Sequence, residues 1–270
     1  MTPPRPPRPP RPRKRFGQHF LTDRALLARI ADALELKPGE TAVEIGPGRG
    51  ALTEELASRA TKLVAIEVDR DLAAILRERY AARPHVTIVE KDVLDVPLGE
   101  IGGRDYALAG NIPYNITTPI IFHALEPPMF SRAVFLVQKE VADRLSAAPG
   151  SGEYGALTVN VAARAKVETL FRVPPGAFNP PPKVDSAVVR LRRRETPLFP
   201  DASAAALQRF VIDVFTKRRK QLRGVLRELS GWPVERIEQL LGECGIDPMV
   251  RAETLAPEQF ARLGLALRSP

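Results

Sequence analysis

The tetrapeptide Asn111-Ile112-Pro113-Tyr114 sets an amide, a carbonyl held by a proline ring and an aromatic face side by side. That combination suits an amine attached to an aromatic ring. Such an amine is a poor nucleophile, because its lone pair is delocalised into the ring. Two acceptors on its hydrogens, the Asn111 side-chain oxygen and the Pro113 backbone carbonyl, would draw it toward tetrahedral geometry and release the lone pair. Tyr114 would stack on the ring, a contact worth about 1–3 kcal/mol for a nucleobase. Holding the amine in line with an electrophilic carbon removes much of the entropic barrier. Neither a metal nor a strong general base is required, since the amine becomes acidic once alkylated. Phe178, in Ala177-Phe178-Asn179-Pro180-Pro181-Pro182, is expected to supply the second wall of a sandwich for a flipped base. The plainer readings are a proline turn for residues 111–114 and a core aromatic for Phe178.

A second group of residues suits a nucleoside cofactor. Glu44-Ile45-Gly46-Pro47-Gly48-Arg49-Gly50 lies at a strand-to-helix turn, where glycines let the backbone approach a ligand. Glu67 ends the next strand, where a carboxylate can accept from both ribose hydroxyls. Asp92, after the third strand, is placed to accept from the exocyclic amine of an adenine. An acid at each strand end suits S-adenosylmethionine, which is cationic and has no pyrophosphate to repel. His19, just before the first helix, is expected to reach the cofactor through its backbone, and His123 is read as structural. No cluster suited to hydrolysis is evident.

Positioning these groups requires alternating elements. Hydrophobic periodicity predicts a helix from Thr22 or Asp23 to Leu34. Strands are expected over 41–45, 63–67, 86–90, 106–109 and 133–137, with helices over 51–59, 69–80, 118–125 and 139–146. This predicts an α/β fold with a mostly parallel sheet, Rossmann-like in form. Residues 156–163 read as a helix, and 166–173 and 186–191 as an antiparallel edge pair. From residue 201 the pattern is helical with no strand. The expected organisation is a Pro/Arg-rich tail over 1–12, a catalytic domain over 13–195 and a small all-helical domain over 196–270.

The chain has 270 residues, 44% hydrophobic, with one cysteine, Cys244, and a formal net charge of +8. One cysteine excludes an intramolecular disulfide and a cysteine-based zinc site, and fits a cytoplasmic setting. No apolar run is long enough to span a bilayer. The positive charge favours a polyanionic partner. Arg13, Lys14 and Arg15 abut the folded part. The run Lys217, Arg218, Arg219, Lys220 and Arg223 is read as opening a helix and contacting phosphates, and Arg190 with residues 192–194 as a second basic patch.

Taken together, the segments RKRFGQHFL, VEIGPGRGALT, IEVDRDL, GNIPYNITTPIIFH, QKEVADRL, YGALTV and FNPPPKVDSAVVRL resemble those of the ribosomal RNA adenine dimethyltransferases of the KsgA/RsmA family. The resemblance runs from Arg13 nearly to the end of the chain. It implies a class I methyltransferase domain with a small helical C-terminal domain, and S-adenosylmethionine as methyl donor. It implies cofactor contacts by His19, Leu21, Gly46, Glu67, Asp92 and Asn111, and base handling by Asn111, Pro113, Tyr114 and Phe178. The implied substrate is a pair of adjacent adenosines in the 3′-terminal hairpin loop of 16S rRNA, within an assembling 30S subunit; a monomer is expected. Position 19 is often Asn in this family where the present chain has His19. Asn-Ile-Pro-Tyr also occurs in 23S rRNA methylases, but PPPKVDSAVVRL and the basic run are more like the 16S enzymes.

Two other classes fit parts of the sequence. Gly46, Gly48, Ala51 and Glu67 also match a dinucleotide fingerprint, which would make an NAD-dependent oxidoreductase but leaves Asn111–Tyr114 unexplained. A non-catalytic RNA-binding assembly factor would explain the charge but not an intact cofactor turn.

Overall fold

Uninterrupted runs of Val, Ile, Leu and Ala build the centre of the molecule. The structure, a computed structural model, describes residues 19–268. Arg13, Lys14, Arg15 and the Pro/Arg-rich tail lie outside the described residues. β2 (Thr41–Ile45), β3 (Lys62–Glu67), β4 (Val86–Glu90), β5 (Ala107–Asn111) and β6 (Arg132–Gln138) run parallel in the order β4-β3-β2-β5-β6. Most of these strands are covered on both faces, so they read as continuous apolar segments rather than as alternation. β9 (Ser186–Arg193) then pairs antiparallel with β6, and β7 (Ala165–Val173) antiparallel with β9 at the edge, giving seven strands. The expected antiparallel pair is therefore present, with β9 the inner member.

One face packs Leu27 and Ile30 of α1 (Arg24–Ala33), Leu52 and Leu56 of α2 (Ala51–Ala57) and Leu76 of α3 (Arg70–Arg79) on Ala42, Leu63, Ala107 and Val134. The other packs Leu98 of α4 (Leu98–Gly102), Ile120 and Ile121 of α5 (Thr117–Ala124), Val141 of α6 (Lys139–Leu145) and Val161 of α7 (Ala156–Arg164) on Val43, Leu108 and Phe135. Arg132 fastens the sheet to the end of α1: its guanidinium donates to the Leu34 and Glu35 carbonyls and pairs with Glu40. A two-stranded antiparallel ribbon joins β1 (Phe20–Leu21) to β8 (Phe178–Asn179), with Leu21 opposite Phe178. Strands of two residues have no periodicity, and sequence reading missed both.

The C-terminal part is helical as expected: α8 (Ala204–Phe215), α9 (Leu222–Ser230), α10 (Val234–Glu243) and α11 (Pro257–Ala266). Its core takes in Tyr154 and Val159 together with Val211, Leu226, Ile237 and Phe260, so α7 is shared between the two halves of the chain. The basic run does not open a helix. Residues 216–220 form the turn after α8, and only Arg223 lies in the first turn of α9. Cations there follow the C-terminus of α8, where the helix dipole favours them. The second basic patch is also largely neutralised. Arg190 pairs with Glu35 and Glu168, Arg192 with Glu35 and Arg193 with Asp105.

Candidate active site

The carboxyl ends of β2, β3 and β5 open into a cavity of about 810 Å³, within the range of small-molecule sites. The turn after β2 forms one side. Gly46 and Gly48 have φ of +65° and +57°, a left-handed conformation that glycine adopts without strain. A Cβ on Gly48 would lie 2.8 Å from the Phe20 ring, so this glycine also makes room for the N-terminal strap. The Arg49 guanidinium lies over the other end of that contact, 4.5 Å from the centre of the Phe20 ring.

Glu67 is 4% exposed and lines the cavity. Its Oε2 accepts from Gly48 N–H and its Oε1 from Asp69 N–H, both at 2.9 Å. Each carboxylate oxygen retains a lone pair for a ligand hydroxyl. Burial raises its pKa, and these two amides oppose that shift. Asp92 also lines the cavity; its Oδ1 caps the following turn by accepting from Leu94 N–H at 3.0 Å, which leaves Oδ2 for a ligand. Leu21 and Gly46 line the same cavity.

Glu44 was missed as a site residue. It is 1% exposed, reaches the cavity wall, and its Oε2 has no hydrogen-bond partner among the described residues. Burial pushes its carboxyl up to about 8, and the charge of Glu67 adds to the effect. The signal was available: a lone acid inside the strand Thr-Ala-Val-Glu-Ile. Val68 was missed as well. It is 47% exposed and lines the cavity beside Glu67, an apolar surface suited to the face of a purine.

On the other side stand Asn111, Pro113 and Tyr114, all cavity residues. Asn111 Nδ2 donates to the His19 carbonyl at 2.8 Å, which leaves Oδ1 as a free acceptor. His19 thus enters the site through its backbone carbonyl, which is bonded to Asn111. The Pro113 carbonyl, in contrast, accepts from Ile116 N–H and from the Thr117 hydroxyl, each at 3.1 Å. Both its lone pairs are engaged by the turn, so it is not the second amine acceptor. The neighbouring Ile112 carbonyl accepts no hydrogen bond among the described residues and is placed by the same proline ring.

Tyr114 donates to or accepts from Ser186 Oγ at 2.6 Å, and burial raises its pKa, so it is a neutral phenol. The expected second wall is not at the cavity. Phe178 is 4% exposed, belongs to the core under α1 and is absent from the cavity lining. Its pairing with Leu21 in the ribbon holds the ring inward. The ring that faces Tyr114 is His19, stacked at 5.5 Å and 25°.

Of the basic run, Lys217 and Lys220 pair with Glu228, Arg218 with Glu253 and Arg223 with Glu238. Arg219 is exposed and makes no ion pair among the described residues. His123 is structural as read, its Nε2 bonded to the Val96 carbonyl at 2.8 Å. No group of three potential metal ligands and no helix long and apolar enough to cross a membrane occurs among the described residues.

Known proteins share this architecture. The chain is 42% identical over 261 residues to ribosomal RNA small subunit methyltransferase A of Geobacter metallireducens, covering 94% of this chain and 95% of that one. It is 43% identical to the protein of the same name from Pseudomonas aeruginosa, covering 93% and 92%. Among solved structures it resembles the 23S rRNA methyltransferase ErmE, with TM-score 0.68, 35% identity and coverage of 93% and 100%. It also resembles a dimethyladenosine transferase from Plasmodium falciparum, with TM-score 0.76, 26% identity and coverage of 91% and 96%. The family described as ribosomal RNA adenine dimethylase matches residues 10–268. A glycine-lined turn at the carboxyl end of β2, an asparagine with its oxygen free and a family match over residues 10–268 thus agree, and the chain belongs to the ribosomal RNA adenine dimethylase family.

Proposed function

We propose that this protein dimethylates the N6 amines of two adjacent adenosines in the 3′-terminal hairpin loop of 16S rRNA, within an assembling small subunit, with S-adenosylmethionine as donor. The observation that carries the reading is the orientation of Asn111: its nitrogen is committed to His19, so its oxygen is the group offered to an incoming amine. The small-subunit target is supported by the relatives' name and by the PPPKVDSAVVRL segment.

The cavity residues fit the cofactor. Gly46 and Gly48 let its nucleoside lie against the turn, Glu67 accepts from the ribose hydroxyls, Asp92 from the adenine amine, and Val68 covers the ring. Glu44 places a buried carboxyl at the cavity wall, where a bound cation would favour its ionised form. S-adenosylmethionine supplies a methyl group made electrophilic by its sulfonium. Asn111 Oδ1 and the Ile112 carbonyl accept the two amine hydrogens, and Tyr114 stacks on the target base. The proton lost after transfer leaves from an amine already hydrogen-bonded to these acceptors, so no separate base is needed. Arg219 and its paired neighbours contact the RNA backbone, and Arg13, Lys14 and Arg15, which lie outside the described residues, are further candidates for RNA contact by charge.

Incubation with undermethylated small subunits and labelled cofactor, followed by nucleotide mapping, tests the proposal. Label on the N6 positions of the paired hairpin adenosines is the expected result. Label on 23S rRNA only, as the likeness to ErmE would suggest, or on no adenosine, overturns it.

A further inference from the structure

His19 is held in three ways. Its carbonyl accepts from Asn111 Nδ2 at 2.8 Å, its Nδ1 lies 2.9 Å from the Pro180 carbonyl, and its ring stacks on Tyr114. A carbonyl oxygen can only accept, so Nδ1 carries a proton and donates it to Pro180, which fixes the orientation of the ring. The ring centres are 5.5 Å apart at 25°, a direct aromatic contact that leaves no room for a further ring between them. Tyr114 cannot move away freely, because its hydroxyl is bound to Ser186, which is fully buried. A base that stacks on this face of Tyr114 must therefore take the place of the imidazole.

We propose that the His19 side chain is a plug on the acceptor-base subsite: it occupies the stacking face of Tyr114 in the RNA-free protein and is exchanged for the target adenine. This rests on the methyltransferase reading above. The plug turns on its side chain alone. Leaving Tyr114 breaks, among the described residues, the stacking contact and the Nδ1 bond to Pro180, while the main-chain carbonyl keeps Asn111 oriented. The site is thereby kept closed to stray purines, and the RNA must present its base strongly enough to displace the ring. His19 is then a specificity-determining residue.

The test uses the full-length chain and its His19→Ala and His19→Asn variants, with thermal melts confirming folding. Methyl transfer to undermethylated small subunits is measured as KM and kcat separately. A free hairpin carrying 2-aminopurine at the target position reports base flipping by fluorescence. An aromatic contact of this kind corresponds to about two- to tenfold in an equilibrium constant. Both variants are expected to lower the RNA KM by that factor and to raise the 2-aminopurine signal, with the cofactor Kd within about twofold of wild type. Wild-type activity accompanied by unchanged KM and fluorescence in both variants overturns the plug alone, as does a raised RNA KM. A wild-type chain that methylates no adenosine overturns the plug and the proposed function together.

Discussion

At the scale of single residues the site is built from groups that already have one partner and keep one hydrogen-bonding position open. Asn111 gives its nitrogen to His19 and keeps its oxygen; Glu67 gives one lone pair of each oxygen to the backbone and keeps the others. An acceptor fixed in this way has no reorganisation to undergo when the amine arrives. Asn111→Ala removes the free oxygen and leaves the His19 carbonyl without its donor. It is expected to slow single-turnover methyl transfer by about 10- to 100-fold, the equivalent of 1–3 kcal/mol of lost hydrogen bonding. Cofactor titration of the variant should show a much smaller change.

Glu44 sets a pH dependence of its own. Its carboxyl, ordinarily near 4.5, is pushed by burial to about 8 in the fold. Between these values the folded chain holds a proton that the unfolded chain has released, so stability falls as pH rises through that window and levels off above it. The upper bound is about 4–5 kcal/mol, at 1.36 kcal/mol for each unit of pKa shift. Glu44→Gln removes the titration. Melting temperatures of wild type and variant, measured without cofactor, are expected to converge near pH 5 and diverge toward pH 8.5 in favour of the variant.

At the scale of elements the decisive feature is the β1–β8 ribbon. It binds the strap before α1 to the proline-rich segment before β9, and so sets His19, Phe20 and Leu21 over the cofactor turn and the base subsite together. Phe178 anchors it from below. Phe178→Ala is expected to destabilise the fold by about 3–5 kcal/mol, as for other buried aromatics cut to alanine. A melting temperature equal to wild type would restore Phe178 as a mobile wall of the base pocket instead. The turn between α8 and α9 acts at this scale too. Arg219→Ala is expected to weaken RNA binding alike for all sequences, and to reduce the slope of log K against log salt by about one. A filter-binding series at several salt concentrations measures it.

At the scale of the whole molecule, the change from alternating to purely helical pattern near residue 196 does not mark a break in the core. Tyr154 and Val159 lie in the same apolar cluster as α8 to α11, and the Tyr154 hydroxyl donates to the Leu255 carbonyl at 2.6 Å. A chain ended after Glu195 would expose that face of α7. It is expected to aggregate or to show no cooperative melt, which calorimetry of the purified fragment would reveal.

Much of this was legible in the residues alone. Strands buried on both faces announce themselves as apolar runs, and Gly46, Glu67, Asp92 and Asn111 end or follow strands whose carboxyl ends open into the cavity. What tertiary structure decided were the choices that depend on who reaches a group first. The turn occupies the Pro113 carbonyl, a two-residue ribbon turns Phe178 inward and His19 outward, and acidic neighbours from distant elements neutralise most of the basic run. A sequence states which hydrogen-bonding groups and charges a chain has. Their partners are set by packing between segments far apart in the chain, and that competition has no local signature.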